Sequence, residues 1–333
     1  MDTQHIPRQI ALIVIFNHRY DANIPLLESI YRTRFSNRFY LMPFYDGSVP
    51  NIIPVYENSW CFQGYLTQGA RHFLHQQFSH YVFIHDDLLL NPTINEQNLL
   101  SVLDVDQNTA YIDHYIELHA RKFWYWMPAA IDFLKNAEGS EGLKYLPDYA
   151  TAQARLAHFN LEARPVRGEQ FLYRTPPPKD TPLYQEYLTE KDTIYSLPYP
   201  MLSGYADMFM LPAKNIHAFL HLCGILASMR LFVEIAIPTA LVFLYDRIIT
   251  SQDAKGYTGG YSQFVKNNEL DYEGFHALKQ YEYFELMHNA QGSLENLLRQ
   301  FPKDLLFYHP IKLSTFHNST LSVSHSRKKF YFY

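Results

Sequence analysis

Residues 9–16 read QIALIVIF, an apolar run rich in β-branched side chains and without polar alternation. A strand of this kind has both faces buried, which an all-antiparallel sheet with one wet face does not require but a parallel sheet covered by helices does. The run is also far too short to span a bilayer. Parallel strands need crossover connections, and the residues that follow supply them. Pro25 opens a helical pattern, IPLLESIYRTRF, at a first-turn position where proline is tolerated. A second strand is predicted in FYLMPFYDGS, ending in the turn signal Asp46-Gly47-Ser48. A helix is predicted from about Trp60 to Phe78, and a third strand, HYVFIHDD, ends in two aspartates. This order implies an α/β fold, a doubly wound, mostly parallel sheet with right-handed crossovers.

Later segments continue the pattern after an interruption. Residues 1–103 read as the first half of the sheet, 104–200 as an insertion, and 201–333 as the second half with a C-terminal extension. The insertion is expected to begin with an aromatic-rich helix, Tyr111 to Lys135, and to continue through a loop-rich stretch with Pro176-Pro177-Pro178. SLPYPMLSGYADMFMLP then reads as a strand, Lys214 to Met229 as a helix, and Phe232 to Leu244 as a strand-to-helix segment. KGYTGGYSQF reads as a loop, in which Gly256, Gly259 and Gly260 suit a lid. A helix over Ser293 to Gln300 and a strand in LLFYHPIKLS follow. The longest apolar stretch, Leu231 to Tyr245, is short for a membrane span and contains Glu234 and Pro238, so it is expected to be buried.

Composition removes several classes of function. A chain of 333 residues with 47% hydrophobic and 18% charged residues can bury a sizeable core. The formal net charge of −5 offers no basic field for a long nucleic acid. Two cysteines, Cys61 and Cys223, make neither a disulfide framework nor a zinc motif. The opening MDTQHIPRQIAL has no export leader, so a cytoplasmic protein is expected. The tail, Arg327 to Tyr333, mixes charge and aromatics. It would suit the anionic inner face of a membrane, and equally a self-packed terminus.

In doubly wound sheets ligands bind at the carboxyl ends of the strands. Three consecutive predicted strand ends carry polar clusters: Asn17-His18-Arg19, Asp46-Gly47-Ser48 and His85-Asp86-Asp87. Adjacent carboxylates at an exposed strand end attract a hard divalent cation, which takes oxygen ligands and keeps positions for substrate phosphates. A solvated turn would show the same two acids, and Asp46 alone would read as an Asx turn. On the predicted helix, Phe62, Leu66, Ala70 and Phe73 share an apolar face while Gln68, Arg71 and His75 form a polar stripe opposite. Glu234 lies between apolar neighbours, where an unpartnered acid is costly. It therefore has either a function or a salt bridge to Arg230.

An apolar strand ending in an acidic triplet, after an earlier strand ending in Asp-Gly-Ser, resembles the GT-A glycosyltransferases. The resemblance covers residues 9–90 and 200–315, and its motifs are individually weak. It implies a transferase that moves a sugar from a nucleotide-diphosphate sugar to a glycan or lipid-linked acceptor, with Mn²⁺ or Mg²⁺. By the same resemblance Asp87 is the metal ligand, joined by the late His309, and Asp86 stands at the middle of the triplet on the donor. His85 replaces the usual first aspartate, which contacts ribose. Phe16, Asn17, His18, Arg19 and Asp46 would bind the nucleoside, Arg71 would approach the donor, and Lys312 would steady the leaving phosphate. Glu234 or Asp207 would act on the acceptor hydroxyl, as base or orienting group. Two other readings stand beside this one. A nucleotidyltransferase is disfavoured because NHRYDANIP has no glycine-rich phosphate loop. A non-catalytic nucleotide-sugar-binding protein would account for His85.

Overall fold

A computed structural model describes residues 9–75, 78–120, 140–168, 178–254, 258–261 and 280–316. Its strands are β1 (Gln9–Ile15), β2 (Asn37–Pro43), β3 (Ile52–Val55), β4 (Phe78–His85), β5 (Leu89–Leu90), β6 (Thr109–Ile112), β7 (Tyr115–Glu117), β8 (Val166–Arg167), β9 (Ile194–Tyr195), β10 (Leu202–Gly204), β11 (Met208–Pro212), β12 (Arg247–Ile249), β13 (Thr258–Tyr261) and β14 (Leu305–His309). The helices are α1 (Ile24–Tyr31), α2 (Gln63–Phe73), α3 (Leu99–Val102), α4 (Tyr149–His158), α5 (Pro182–Glu190), α6 (Ile216–Ser228), α7 (Val233–Leu244), α8 (Gln280–Ala290) and α9 (Leu294–Arg299).

The main sheet has seven strands in the order β12-β6-β11-β4-β1-β2-β3. Six run parallel, and β11 alone is antiparallel to both neighbours, β4 and β6. The chain winds outward from β1 through β2 to β3, then returns to the other side of β1 as β4. The crevice at the carboxyl ends of β1 and β4 is therefore the point where the winding reverses, the usual ligand site of such sheets.

β1 sits at the centre for the reason its sequence suggests. Ile10, Leu12 and Val14 enter one core with α1, α3 and the C-terminal segment, while Ala11, Ile13 and Ile15 enter the other with α2, α6 and α7. All six are fully buried. The apolar segment containing Glu234 forms α7, buried along its whole length except its last residue. No helix among the described residues is long and apolar enough to cross a membrane.

Several expectations are corrected. Residues 111–117 are not helical: β6 ends at Ile112 and β7 follows, paired with β10, before a single 3-10 turn at Leu118–Ala120. β6 enters the main sheet between β11 and β12, although it falls in the stretch read as an insertion. Tyr111, on β6, is wholly enclosed. The single strand expected before α6 is two, β10 and β11, broken at Tyr205–Asp207. The strands β3 and β12, four and three residues long, are too short to stand out in the sequence. Within the expected Gly-rich loop, residues 258–261 form β13 beside β14, whereas Gly256 lies outside the described residues. So do residues 121–135 of the expected helix, Pro176-Pro177 and the tail from 317 onward.

The turn after β4 is anchored from two directions. Arg34, just past α1, donates from Nε to the Ile94 carbonyl at 2.7 Å and from Nη2 to the Asn91 carbonyl at 2.6 Å. Asn91 Nδ2 donates to the Leu305 carbonyl at 2.8 Å, and its backbone N–H donates to Leu306 at 2.8 Å. β5 then pairs with β14, so the C-terminal strand is fastened beside the tip of β4. Hydrogen bonds from a charged group contribute about 1.5–3 kcal/mol each, and losing the donor leaves enclosed carbonyls unsatisfied. Arg34→Met is expected to lower stability by about 3 kcal/mol in urea titrations; a loss below about 1 kcal/mol would show the clamp to be incidental.

Candidate active site

Three chain segments deliver four titratable side chains to one place at the carboxyl edge of the sheet. β4 brings His85 on its last residue and Asp87 two residues later. Asp207 comes from the turn that starts β11, and His309 from the end of β14. The His85 backbone N–H donates to the Asp207 carbonyl at 3.0 Å, extending the β4–β11 ladder by one bond. That bond places the two side chains together. His85 Nδ1 donates to Asp207 Oδ1 at 3.1 Å. His309 Nε2 lies 3.3 Å from Asp87 Oδ1 and 3.6 Å from Asp207 Oδ1. The ring of Phe62 stands edge-on to His85 at 4.7 Å between centroids, which limits rotation of the imidazole.

Charge is balanced within the cluster. Burial disfavours a charged His309, yet Asp207, Asp87 and Glu234 outweigh it and raise the imidazole pKa to about 9. Burial also favours the neutral form of Asp207 and Asp87, but the neighbouring histidines hold both carboxyls below the usual range. The cluster thus holds a proton on His309 in the absence of any other cation.

His85, Asp87 and His309 each offer a ligand atom, and these atoms all lie within 4.8 Å of one another. Their chemistry fits a divalent metal. An Asp207 carboxylate can only accept, so the His85 proton sits on Nδ1 and the Nε2 lone pair is left for a metal, the usual outer-sphere arrangement for a ligating histidine. Among the described residues, His85 Nε2 and Asp207 Oδ2 are shut from solvent without a hydrogen bond, and Asp87 Oδ1 meets only His309 Nε2 at 3.3 Å. Buried polar atoms are normally satisfied, so two such atoms beside Asp87 fit a site built for an ion. A cation bound there would take the place of the His309 proton.

The two adjacent aspartates do not share this task. Asp86 faces β1: Asn23 Nδ2 donates to its Oδ2 at 3.2 Å, and its own N–H donates to the Ile15 carbonyl at 2.9 Å. Burial, then the Asp87 charge, push its pKa upward. Side chains of successive residues diverge, and two carboxylates pressed onto one point would repel. Asp86 therefore fixes the β1–α1 connection, while Asp87 faces the histidines.

Around this centre the expected residues separate. Arg19 reaches from the β1 connection to Asp46 beyond β2 at 2.7 Å and to Asp21 at 3.1 Å, and its guanidinium lies 5.7 Å from the Tyr45 ring centroid. The arginine holds the Asp46 carboxyl below the usual range. Asn17 is half-buried near Asp86, and His18 is exposed with its ring edge-on to Tyr20. Phe16 is fully buried against Tyr40, so it belongs to the core and cannot contact a base. Lys312 is exposed on the segment whose Ile311 N–H donates to the Asp87 carbonyl at 2.6 Å. Glu234 is buried in the first turn of α7, close enough to add to the charge acting on His309. Arg230 pairs with Glu57 at 3.5 Å, so the alternative of a Glu234–Arg230 bridge is not formed.

Arg71 is misplaced relative to expectation. It lies in the last turn of α2 and donates to His72, while His75 packs its ring against Phe39 and Phe78 at the amino end of the sheet. A crossover helix leaves the carboxyl edge and returns to the amino edge, so only the start of α2 can face the site. Gln68 accepts from the Tyr56 N–H at 2.7 Å and ties α2 to the loop after β3. Asp207, expected to act on an acceptor, is committed to the two histidines. Asn23, Asn91 and Phe62 hold the site in shape. Their roles had no signal in the sequence beyond a polar or aromatic residue near a strand end.

No family model matches the sequence, and no curated protein matches it. Among solved structures, core-mannan synthase A of Aspergillus fumigatus in its Mn/GDP form is 10% identical with a TM-score of 0.32, covering 74% of this chain and 73% of that one. Mouse xyloside xylosyltransferase 1 in its apo form is 10% identical with a TM-score of 0.30, covering 91% of this chain and 98% of that one. Likenesses this slight do not by themselves place the chain in a family.

If the three ligand atoms act together, each substitution His85→Ala, Asp87→Ala and His309→Ala weakens Mn²⁺ binding at least tenfold by calorimetry. Asp207→Asn, which can no longer fix the His85 tautomer, costs about 10–100-fold through orientation alone. Unchanged Mn²⁺ affinity in His309→Ala would remove the C-terminal strand from the site.

Proposed function

We propose that this protein is a divalent-metal-dependent glycosyltransferase, moving a sugar from a nucleotide-diphosphate sugar to a glycan or lipid-linked acceptor. The observation that carries this reading is the meeting of His85, Asp87 and His309 at the reversal point between β1 and β4. Mn²⁺ or Mg²⁺ bound there would neutralise the diphosphate as it leaves.

The chain's own residues complete the site. Asp207 fixes the His85 tautomer, and the β5–β14 pairing brings His309 within reach of Asp87. Asp86 and Asn23 hold the β1–α1 connection, so that Asn17, His18 and Arg19 line a nucleoside site with Asp46 on the neighbouring tip. Lys312, beside the segment bonded to Asp87, suits the leaving phosphate. Glu234 at the start of α7 serves as an orienting carboxylate; the helix N-terminus favours its negative charge. We place the protein in the cytoplasm, with residues 327–333 resting on the inner face of the membrane, in polysaccharide biosynthesis. Vesicles containing anionic lipid should retain the full chain and not a variant ending at residue 326.

The direct test is thermal shift with UDP, GDP and their sugars, with and without Mn²⁺. A ligand at about 100 times its dissociation constant adds about 2.7 kcal/mol, so stabilisation should need nucleotide and metal together. Asp87→Ala should abolish both that shift and any transfer. Nucleotide binding that ignores Mn²⁺ and survives Asp87→Ala would instead identify a non-catalytic binding protein.

A further inference from the structure

A second polar cluster stands at the same edge of the sheet, on the far side of Asp207. Asp113 follows β6 immediately, and Ser251 follows the neighbouring parallel strand β12 by two residues. The Ser251 N–H donates to the Asp113 carbonyl at 2.9 Å, and its hydroxyl donates to Asp113 Oδ1. Asp113 Oδ2 accepts from His114 Nδ1 at 3.1 Å. The carboxylate is buried and its partner imidazole nearly so, with side-chain exposures of 3% and 13%. Tyr205 packs its ring against His114 at 4.9 Å between centroids. Residues 205–207 therefore touch both clusters, Tyr205 meeting His114 and Asp207 meeting His85. β11 alone separates β6 from β4, which sets the two clusters about 9–10 Å apart at the usual strand spacing.

A buried carboxylate that accepts from Nδ1 dictates the tautomer of a neutral imidazole. The proton stays on Nδ1 and Nε2 becomes the basic nitrogen, the arrangement that makes a histidine a directed base. The backbone here is also closely packed: a Cβ on Gly204 would lie 2.4 Å from the His114 carbonyl oxygen, so β10 supports the histidine from behind. Asp207 is occupied by the metal-side histidines, and Glu234 acts on His309. Among the described residues, His114 is a group at this edge that a buried carboxylate on Nδ1 prepares to take a proton.

We propose that His114 is the catalytic base for the acceptor hydroxyl, with Asp113 and Ser251 as positioning residues; this rests on the glycosyltransferase reading. The acceptor O–H proton passes to His114 Nε2 as the acceptor oxygen bonds to the anomeric carbon. The bond from that carbon to the diphosphate oxygen breaks, and its electron pair leaves with the nucleoside diphosphate. One displacement of this kind inverts the anomeric configuration.

The full chain and its variants His114→Gln, His114→Gly, Asp113→Asn and Ser251→Ala test this. Nitrogen-15 spectra of the imidazoles should show His114 protonated on Nδ1 in the wild type, with that preference lost in Asp113→Asn. Mn²⁺-dependent binding of UDP and GDP should stay within about twofold of wild type in His114→Gln, because the donor side is intact. Transfer from a panel of UDP- and GDP-sugars to simple glycosides should fall at least 100-fold, as loss of a general base commonly costs 10²–10⁴. Added imidazole should restore part of the transfer in His114→Gly, which a merely structural role would not allow. The proposal is overturned if His114 carries its proton on Nε2. It is overturned equally if His114→Gln keeps a tenth of wild-type transfer, or if nucleotide binding falls together with transfer. A wild type that binds no nucleotide with Mn²⁺ would sink the glycosyltransferase reading and this base with it. A wild type that binds and transfers while ignoring His114 sinks the base alone.

Discussion

The bond from His85 to Asp207 is the contact on which the rest of the site depends. It joins the parallel strand β4 to the one antiparallel strand of the sheet, through a backbone bond and a side-chain bond between the same two residues. Asp207 then attracts His309, and His309 brings the C-terminal strand against Asp87. Without the Asp207 carboxylate, His85 would lose its Nδ1 partner, and His309 would keep only Asp87 and Glu234 to favour its charge. With it, the cluster holds one exchangeable positive charge that a proton or a metal ion can supply.

Two independent anchors keep this arrangement from drifting. Arg34 and Asn91 bind the turn after β4 to α1 and to β14, and Asp86 with Asn23 binds the tip of β4 to the β1–α1 connection. The polar residues of the motif His85-Asp86-Asp87 thus divide the work. One side chain faces each neighbouring element, and the charge that would repel its neighbour is turned into a structural bond. Rigid support of this kind matters because a metal or transition-state site loosened by an ångström loses much of its effect.

The same edge carries its polar groups in two sets, with β11 between them. On the β4 side are groups suited to a cation and a diphosphate; on the β6 side is a carboxylate-bound histidine suited to proton removal. Residues 205–207 connect the sets and are the point where the expected single strand breaks into two. The break is functional in its consequence, since a continuous strand would have left neither Tyr205 nor Asp207 in a turn at the edge.

Much of this was legible in residues alone. The apolar run of β1, buried on both faces, requires a covered parallel sheet, and the polar clusters that follow β1, β2 and β4 mark its ligand edge. Asp87 and His309 could be singled out because an acid at a strand end and a late histidine on a short strand are local features. What one strand at a time could not reveal was partnership. Phe16 looked like part of a polar tip but extends the core, because the β1–β2 ladder continues one residue further. Arg71 lay on the polar stripe but at the wrong end of its helix, since periodicity reports a face and not a height. Asp113 and His114 lie where a helix was expected to begin, and the structure places them between β6 and β7. Residue order determined the sheet and its edge. Only the tertiary structure, by setting β14 beside β4 and β12 beside β6, decided which acid meets which histidine, because those contacts join residues up to about two hundred positions apart, whose pairing depends on long-range packing rather than on any local pattern.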